Sequence, residues 1–516
     1  MQAREWPLKT IAVLTLVLLA SPASADFIVM TDGRVFEFDR VEKEAASFAI
    51  HFKDGKVQVP LALVRSHYKV SKAGDYEPQT DEEKAKVEKG LLPYQGKWLK
   101  KSKALKQYKA DDDARRARVE QMKERRKWRN HVTVKTKRFV YKHTLPDEVF
   151  EEYKDLFETY YKFFTKYWGI KPSRDFGTAT INIYHDRAYF EQVGGIGGGV
   201  VGWYMPKNRD LNFYVDRENK RYTIDVMFHE GNHMLTHMIN EKFWYPWWVG
   251  EGMAEYFGAS SWDARKKKMT IGLLQSGRLA VLKEQFSDED KRLKLQALLE
   301  TRGMGAVGYA WAWSFCHFML STPQYEKKFK KFYVALGKAK GIKRVARGMG
   351  STTVQPDELV RVFKKYLKVD DIEALQKEWY EYIDKVLTLD RDQKLDWGMA
   401  GYIMSLYGER AKARKFFKRA IDGGSKDAFV LYGYAELKLI QNMPGIALKY
   451  ATLATEADPL HARAWCLRGQ ALNADGKRDE GIKFVRIARE MDPESQEIWF
   501  VLESMEQAEK DAKEKK

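Results

Sequence analysis

His229, Glu230 and His233 are the residues of this chain whose types and spacing best suit chemistry. They sit in His229-Glu230-Gly231-Asn232-His233, an H-E-x-x-H within an apolar stretch, Thr223 to Ile239, whose pattern predicts a helix. Positions i and i+4 of a helix share one face, so both imidazoles can bind one metal ion. Glu230 stands beside them, where it can take a proton from a metal-bound water. A hydrolytic Zn²⁺ ion needs a third protein ligand and one open position. His237, Glu251 and Glu255 are the downstream candidates. A straight helix cannot wrap three consecutive turns around one ion, so His237 reads as a packing or solvent-facing histidine. Glu251 falls in a second predicted helix after a short turn, which would bring its carboxylate back onto the first.

The segment Trp248-Val249-Gly250-Glu251-Gly252-Met253-Ala254-Glu255-Tyr256 resembles the W-x-x-E-G-x-A-E-Y signature of the gluzincin zinc metallopeptidases. The likeness is to the peptidase-MA-like proteins and the aminopeptidase-N group, covers residues 131–390, and is specific around 229–257. It implies that Glu251 is the third zinc ligand, beside His229 and His233. Metzincins are excluded, because their pattern needs a histidine where Ile239 stands. Metal-bound imidazoles usually donate their second N–H to a carboxylate, and related gluzincins keep an acid one turn after the ligand Glu. Glu255 holds that place and is expected to orient His229; the alternative is a surface Glu on an amphipathic helix. The resemblance also implies a tyrosine at the start of a later helix as an oxyanion donor. Tyr309, opening "YAWAWSFCHFML", occupies that position, with an ordinary aromatic core residue as the other reading. Gluzincins set an edge strand beside the cleft, and Gly202, Trp203 and Tyr204 are expected to line that substrate wall. An aminopeptidase would carry a G-x-M-E-N motif there, whereas this chain has Met205-Pro206-Lys207-Asn208, which argues against a strict aminopeptidase.

The surrounding pattern predicts what positions these groups. Val132 to Val140 alternates like a strand, Pro146 to Trp168 reads as an aromatic amphipathic helix, and Thr178–Tyr184 and Asn212–Val215 read as strands. After the H-E-x-x-H helix the chain is nearly all helical to residue 390. This is an α+β plan, and the resemblance makes 131–390 a zincin-like catalytic domain of mixed sheet plus helical lobe. Gly194 to Gly199 is not a phosphate loop, since no Lys-Ser/Thr follows and no βαβ unit frames it. Further on, Trp397, Leu431, Trp465 and Trp499 are spaced by 34, as are Gly401, Ala435 and Gly469, and Ala420, Ala454 and Ala488. That period resembles the tetratricopeptide repeat and predicts an all-α solenoid over 391–516. Its units lie near 394–427, 428–461 and 462–495, with a capping helix around Glu497 to Ala508. Such an array either stabilises the enzyme or offers a groove to a protein partner. At the other end, residues 26–75 read as a small SH3-like β module, with runs Phe27–Met30, Val35–Phe38, Ser47–Phe52 and Val57–Val59. Residues 76–130 read as a charged helical linker.

Arg4 and Lys9, the apolar run Ile11–Ala20, and Ala23-Ser24-Ala25 make residues 1–25 a predicted signal peptide, cleaved near Ala25. The protein is therefore expected to be exported, to the periplasm or beyond. No later segment is apolar enough to span a bilayer, so no transmembrane segment is expected in the mature chain. Cys316 and Cys466 fall in different predicted domains, which argues against a disulfide framework. The net charge is +18, and much of the excess sits in Lys97–Arg129, either a solvated helix or linker or a binder of anionic polymers. Zinc-finger, cold-shock and RNP motifs are missing, so nucleic acid is not an expected partner.

Together these readings predict an exported zinc-dependent peptidase, acting on a peptide or protein substrate, with a repeat domain for partner or substrate binding. The competing reading is a tetratricopeptide scaffold with a structural or barely active metal site. Glu230 argues against the scaffold, because a structural site has no use for a general base.

Overall fold

The computed structural model describes residues 26–514 apart from 39, 69–75, 172–177, 196–199, 217–218, 264–265, 267, 339–340, 349, 390–394 and 494. The predicted signal peptide and most of the glycine run therefore lie outside the described residues. The chain forms two compact units, one built mainly of residues before Arg118 and one of residues from Arg118 onward.

The first unit holds strands β1 (Asp26–Met30), β2 (Val35–Phe38), β3 (Arg40–Lys43), β4 (Ser47–Phe52), β5 (Gly55–Pro60) and β6 (Val64–Tyr68). They make two three-stranded sheets, ordered β2-β1-β6 and β3-β4-β5. Strands β3 (RVEK) and β6 (VRSHY) were not among the expected runs, because charged and polar residues mask their alternation. Helix α1 (Asp81–Glu88) follows, started by a reciprocal capping box between Thr80 and Glu83. The stretch expected to be a helical linker then turns through a hairpin, β7 (Leu91–Tyr94) and β8 (Lys97–Lys100), before helix α2 (Lys101–Arg125). Gln95 and Gly96 have φ of 46° and 76°, the double positive φ of a two-residue hairpin turn. Lysine-rich composition hid this hairpin, although Leu91, Leu92, Trp98 and Leu99 give it an apolar content that a solvated helix lacks.

The second unit opens with a mixed five-stranded sheet: β9 (Val132–Lys135), β10 (Phe139–His143), β11 (Ala179–Tyr184), β12 (Gly202–Met205) and β13 (Asp210–Tyr214). Its order is β12-β13-β11-β10-β9, with β10, β11 and β13 parallel and the two outer strands antiparallel. The expected single strand Val132–Val140 is thus a hairpin. Thr136 makes the turn, its hydroxyl oxygen accepting the backbone N–H of Phe139 at 3.1 Å. Parallel neighbours need a crossover, supplied by α3 (Asp147–Trp168) and then α4 (Arg187–Gly194). The apolar stripe of α3, including Phe150, Tyr153, Phe157, Tyr160 and Phe164, is buried.

The helical lobe comprises α5 (Lys220–His237), α6 (Trp247–Gly258), α7 (Ser276–Ser287), α8 (Leu295–Glu300), α9 (Ala306–Ser321), α10 (Pro323–Lys338), α11 (Pro356–Leu367) and α12 (Ile372–Lys385). Two small hairpins interrupt it, β14 (Ser261–Asp263) with β15 (Lys268–Thr270), and β16 (Val345–Gly348) with β17 (Ser351–Thr353). Sheet and lobe share one core, in which Trp248, Trp311, Trp313 and Trp379 are fully buried. Beyond it stand three helix pairs, α13 (Trp397–Leu406) with α14 (Arg410–Asp422), α15 (Ala428–Ile440) with α16 (Pro444–Ala457), and α17 (Ala462–Ala474) with α18 (Arg478–Met491). A last helix, α19 (Gln496–Glu514), covers the end. The architecture is the predicted one: α+β, with small N-terminal sheets, a mixed sheet with helices, and a tetratricopeptide-like stack. Cys316 and Cys466 are buried and free. Among the described residues, no helix is long and apolar enough to cross a membrane.

Candidate metal centre

Helix α5 is started by Asn219, whose side-chain oxygen accepts the backbone N–H of Tyr222 at 3.2 Å. Its inner face, with Val226, Met227 and Phe228, is buried in the shared core. Gly231 lies where a methyl group would meet Phe157 at 2.8 Å, so α3 and α5 pack closely behind the H-E-x-x-H face. Helix α6 begins after Pro246, and fully buried Trp248 fixes its rotation. Gly252 permits α6 to cross α9: a Cβ there would lie 2.6 Å from the carbonyl oxygen of Ala312.

This rotation aims Glu251 at α5. Its Oε2 lies 3.5 Å from His229 Nε2 and 3.5 Å from His233 Nε2. One donor atom from each of the three residues falls within 4.8 Å of the other two. Tetrahedral zinc with bonds of roughly 2.1 Å has edges of roughly 3.4 Å, so the two nitrogens and one oxygen fit such an ion. The group is therefore consistent with an H-E-x-x-H-type zinc site. Electrostatics point the same way. Burial opposes a charge on His229, yet the hydrogen bond to Glu251 and the charges of Glu255, Glu230 and Glu251 raise its pKa to about 9. His233 is raised as well, against burial, by Glu251. Burial would raise Glu251, but His233 and His229 hold it far below the usual carboxylate range. A field that draws a proton onto these imidazoles also draws a divalent cation to the same lone pairs.

Glu255 is 2% exposed, so it is not a surface residue. Its Oε1 lies 3.5 Å from His229 Nδ1, on the side of the ring away from Glu251. Two residues that local sequence patterns did not reveal hold it there. Gln275 donates to Oε2 at 2.5 Å, and the Arg278 guanidinium donates to Oε1 at 2.7 Å. The one available signal was a lone arginine in the apolar start of α7, Ser276-Gly277-Arg278-Leu279-Ala280. Arg278 also lies over the Tyr309 ring, 5.0 Å from its centroid.

Glu230 Oε1 is 4.0 Å from His229 Nε2. Edge strand β12 passes directly over it, since a Cβ on Gly202 would lie 3.1 Å from Glu230 Cγ and 2.7 Å from Val226. Glu230, the metal-centre residues, Gly202, Trp203, Tyr204 and Tyr309 all line one cavity of about 560 Å³. Burial, with the nearby charges of Glu251 and Glu255, pushes the Tyr309 hydroxyl well above its ordinary pKa. His237 is not part of the donor group. It is buried, and its Nδ1 shares a hydrogen bond of 2.8 Å with the Tyr204 hydroxyl.

Residues 223–342, which contain His229, Glu230, His233, Glu251 and Tyr309, match the profile of DUF1570, a protein family described as of unknown function. No curated protein matches the chain. Among solved structures, one that is similar in part is the first tetratricopeptide repeat domain of Spaghetti (RPAP3) bound to the HSP90 peptide SRMEEVD. It is 20% identical with a TM-score of 0.21, over 22% of this chain and 89% of that one. Another is the second such domain of human RPAP3 in complex with the HSP70 peptide SGPTIEEVD, 21% identical with a TM-score of 0.20, over 20% and 88% of the two chains.

Proposed function

We propose that this protein is a zinc-dependent hydrolase of peptide bonds, of the gluzincin type, exported by a signal peptide over residues 1–25. The observation that carries this reading is the convergence of His229, His233 and Glu251 beside Glu230 in an open cavity. His229, His233 and Glu251 would hold the ion. Zinc in such a set supplies Lewis acidity and lowers the pKa of water to about 7.

The protein's own groups do the rest. Glu230 accepts the proton of the attacking water and delivers it to the leaving amine. The Tyr309 hydroxyl, kept protonated by burial and by the carboxylates near it, donates to the developing oxyanion. Among the described residues, strand β12 pairs only with β13, so an extended substrate can add to its other edge. Gly202 lets β12 lie close against α5, which sets that edge beside Glu230. Glu255, fixed by Gln275 and Arg278, keeps the His229 ring in one tautomer and one orientation. The repeat array serves as a binding surface for a protein partner or substrate.

The test is Glu230→Gln, assayed on a diverse peptide library with metal content measured in both proteins. The expected result is stoichiometric zinc in each and a loss of hydrolysis of about a thousandfold in the variant. Equal activity in the two proteins, or no bound metal in either, would sink the proposal. Retained metal with no hydrolysis of any peptide by the natural chain would leave the scaffold reading instead.

A further inference from the structure

The cavity at the metal centre carries a charge imbalance that peptide hydrolysis does not by itself require. The carboxylates lining it are Glu230 and Glu251, both committed to the metal centre, while Arg302 and Arg347 line it without an acidic counterpart. Arg302 donates to the neutral side-chain oxygen of Gln355 at 2.8 Å, and Arg347 lies over the Trp244 indole at 4.3 Å. Among the described residues, neither forms an ion pair. Several other arginines of the lobe do pair with acids: Arg221 with Asp225, Arg278 with Glu255, Arg361 with Glu358.

The two arginines sit on anchored elements. Arg347 belongs to hairpin β16–β17, which is tied to the α5–α6 connection: the Trp244 N–H donates to the Thr352 carbonyl at 2.8 Å, and the Thr353 hydroxyl donates to the Trp244 carbonyl at 2.9 Å. Gln355, the partner of Arg302, continues the same segment into α11. Both cations therefore belong to one wall of the cleft.

We propose that Arg302 and Arg347 form a carboxylate subsite, so that the cleft selects peptides bearing a carboxylate close to the bond cut; this rests on the peptidase reading above. A guanidinium fork takes both oxygens of a carboxylate, which a neutral amide cannot match. Trp244 lies against the Arg347 guanidinium, and both residues line the cleft. The net charge of +18 assists by steering anionic ligands towards the molecule. The carboxylate is supplied either by an Asp or Glu side chain or by a free C-terminus.

The experiment uses the full-length, zinc-loaded Glu230→Gln protein, which binds without turnover, and fluorescent peptides in three matched sets at low salt. One set carries internal Asp or Glu with an amidated end, one carries Asn or Gln with an amidated end, and one carries Asn or Gln with a free end. A carboxylate set is expected to bind about tenfold tighter than the fully neutral set, and the set that does so names the source. Arg302→Ala and Arg347→Ala each cost about threefold, and together they abolish the advantage. Arg302→Gln with Arg347→Gln, which keeps side-chain bulk, gives the same loss. Equal binding of charged and neutral peptides, no binding of any carboxylate peptide, or an advantage that survives both double variants overturns the inference. Hydrolysis by the natural chain is read separately. Cleavage without charge preference removes the subsite alone, whereas charge-selective binding without cleavage removes the peptidase reading and leaves the subsite.

Discussion

The core beneath the metal centre is built on fully buried tryptophans, whereas neighbouring helices of the repeat array approach over alanines and glycines. Trp248, Trp311, Trp313 and Trp379 are fully buried in the first, and Ala435, Ala451, Ala454, Ala464 and Ala488 in the second. The two also differ in reach. Helix α6 crosses α9, much later in the chain, with Gly252 against the Ala312 carbonyl. In the array, Gly469 meets the carbonyl oxygen of Gly481 at 2.5 Å from its ideal Cβ, on the next helix along. A repeat stack transmits a fault mainly to its neighbours. A single long-range aromatic core transmits it to whatever rests on it, and Glu251 rests on α6.

Acid gives the largest test of this contrast. His143 and His317 both belong to the metal-bearing half, and burial pushes each down to about 4, with Arg125 adding to the effect on His143. His143 stacks on Phe150 at 3.7 Å; His317 donates from Nε2 to the Gly272 carbonyl and accepts the Tyr382 hydroxyl at Nδ1, a fully satisfied neutral ring. Folded pKa values below the unfolded value mean that the unfolded chain binds these protons first. The stability is present above pH 6.5 and is lost as pH falls towards 4, on the order of 3 kcal/mol for each group. Urea unfolding followed by tryptophan fluorescence should show the metal-bearing half opening first on acidification. His143→Leu should flatten that slope, and an unchanged slope would refute the assignment.

A matched pair of glycine substitutions comes next. Gly252→Ala and Gly469→Ala each force a methyl group onto a backbone oxygen, at a cost of about 1–3 kcal/mol. Their stabilities should fall alike, but their metal affinities should not. Gly252→Ala moves α6 and weakens metal binding, while Gly469→Ala leaves it at the natural value. Titration with zinc in the presence of a competing chelator decides this; equal affinities would show that the two halves transmit strain in the same way.

The same contrast explains what could be read in advance. The array was legible because its information is local: Trp397, Leu431, Trp465 and Trp499 repeat at a fixed period, and each helix packs on its sequence neighbour. The pair His229 and His233 was legible for the same reason, as a spacing within one helix. Glu251 was legible as a candidate in the next predicted helix, but its role as third ligand needed a resemblance to a family, since no pattern within α5 or α6 states how the two helices cross. Arg278 and Gln275 went unread because their bonds to Glu255 join α6 to the start of α7, and nothing local gives that register. Strands β3 and β6 and the hairpin β7–β8 were missed for a different reason: small sheets with exposed faces carry charged residues at positions where alternation would announce them. Arg302 and Arg347 could not be singled out from sequence at all, because their interest lies in which groups are not beside them.

The two halves meet near Arg278, and the smallest expected effect would show whether that meeting matters. The Tyr407 hydroxyl, at the end of α13 in the array, lies 3.3 Å from Arg278 Nη1, whose other nitrogen, Nη2, holds Glu255. Just before the same array helix, the Asp396 N–H donates to the Ser276 hydroxyl at 2.8 Å. A chain of contacts thus runs from the first repeat through Arg278 and Glu255 to His229. Tyr407→Phe removes only the hydroxyl at a half-exposed position, so folding should be intact. It should weaken zinc binding about twofold, against about tenfold for Gln275→Ala, which loosens Glu255 directly. A twofold loss means that occupancy of the array can reach the metal centre through a single guanidinium. No change in Tyr407→Phe beside a clear loss in Gln275→Ala would mean that Glu255 is held wholly from within the metal-bearing half, and that the array influences the site only as a binding surface.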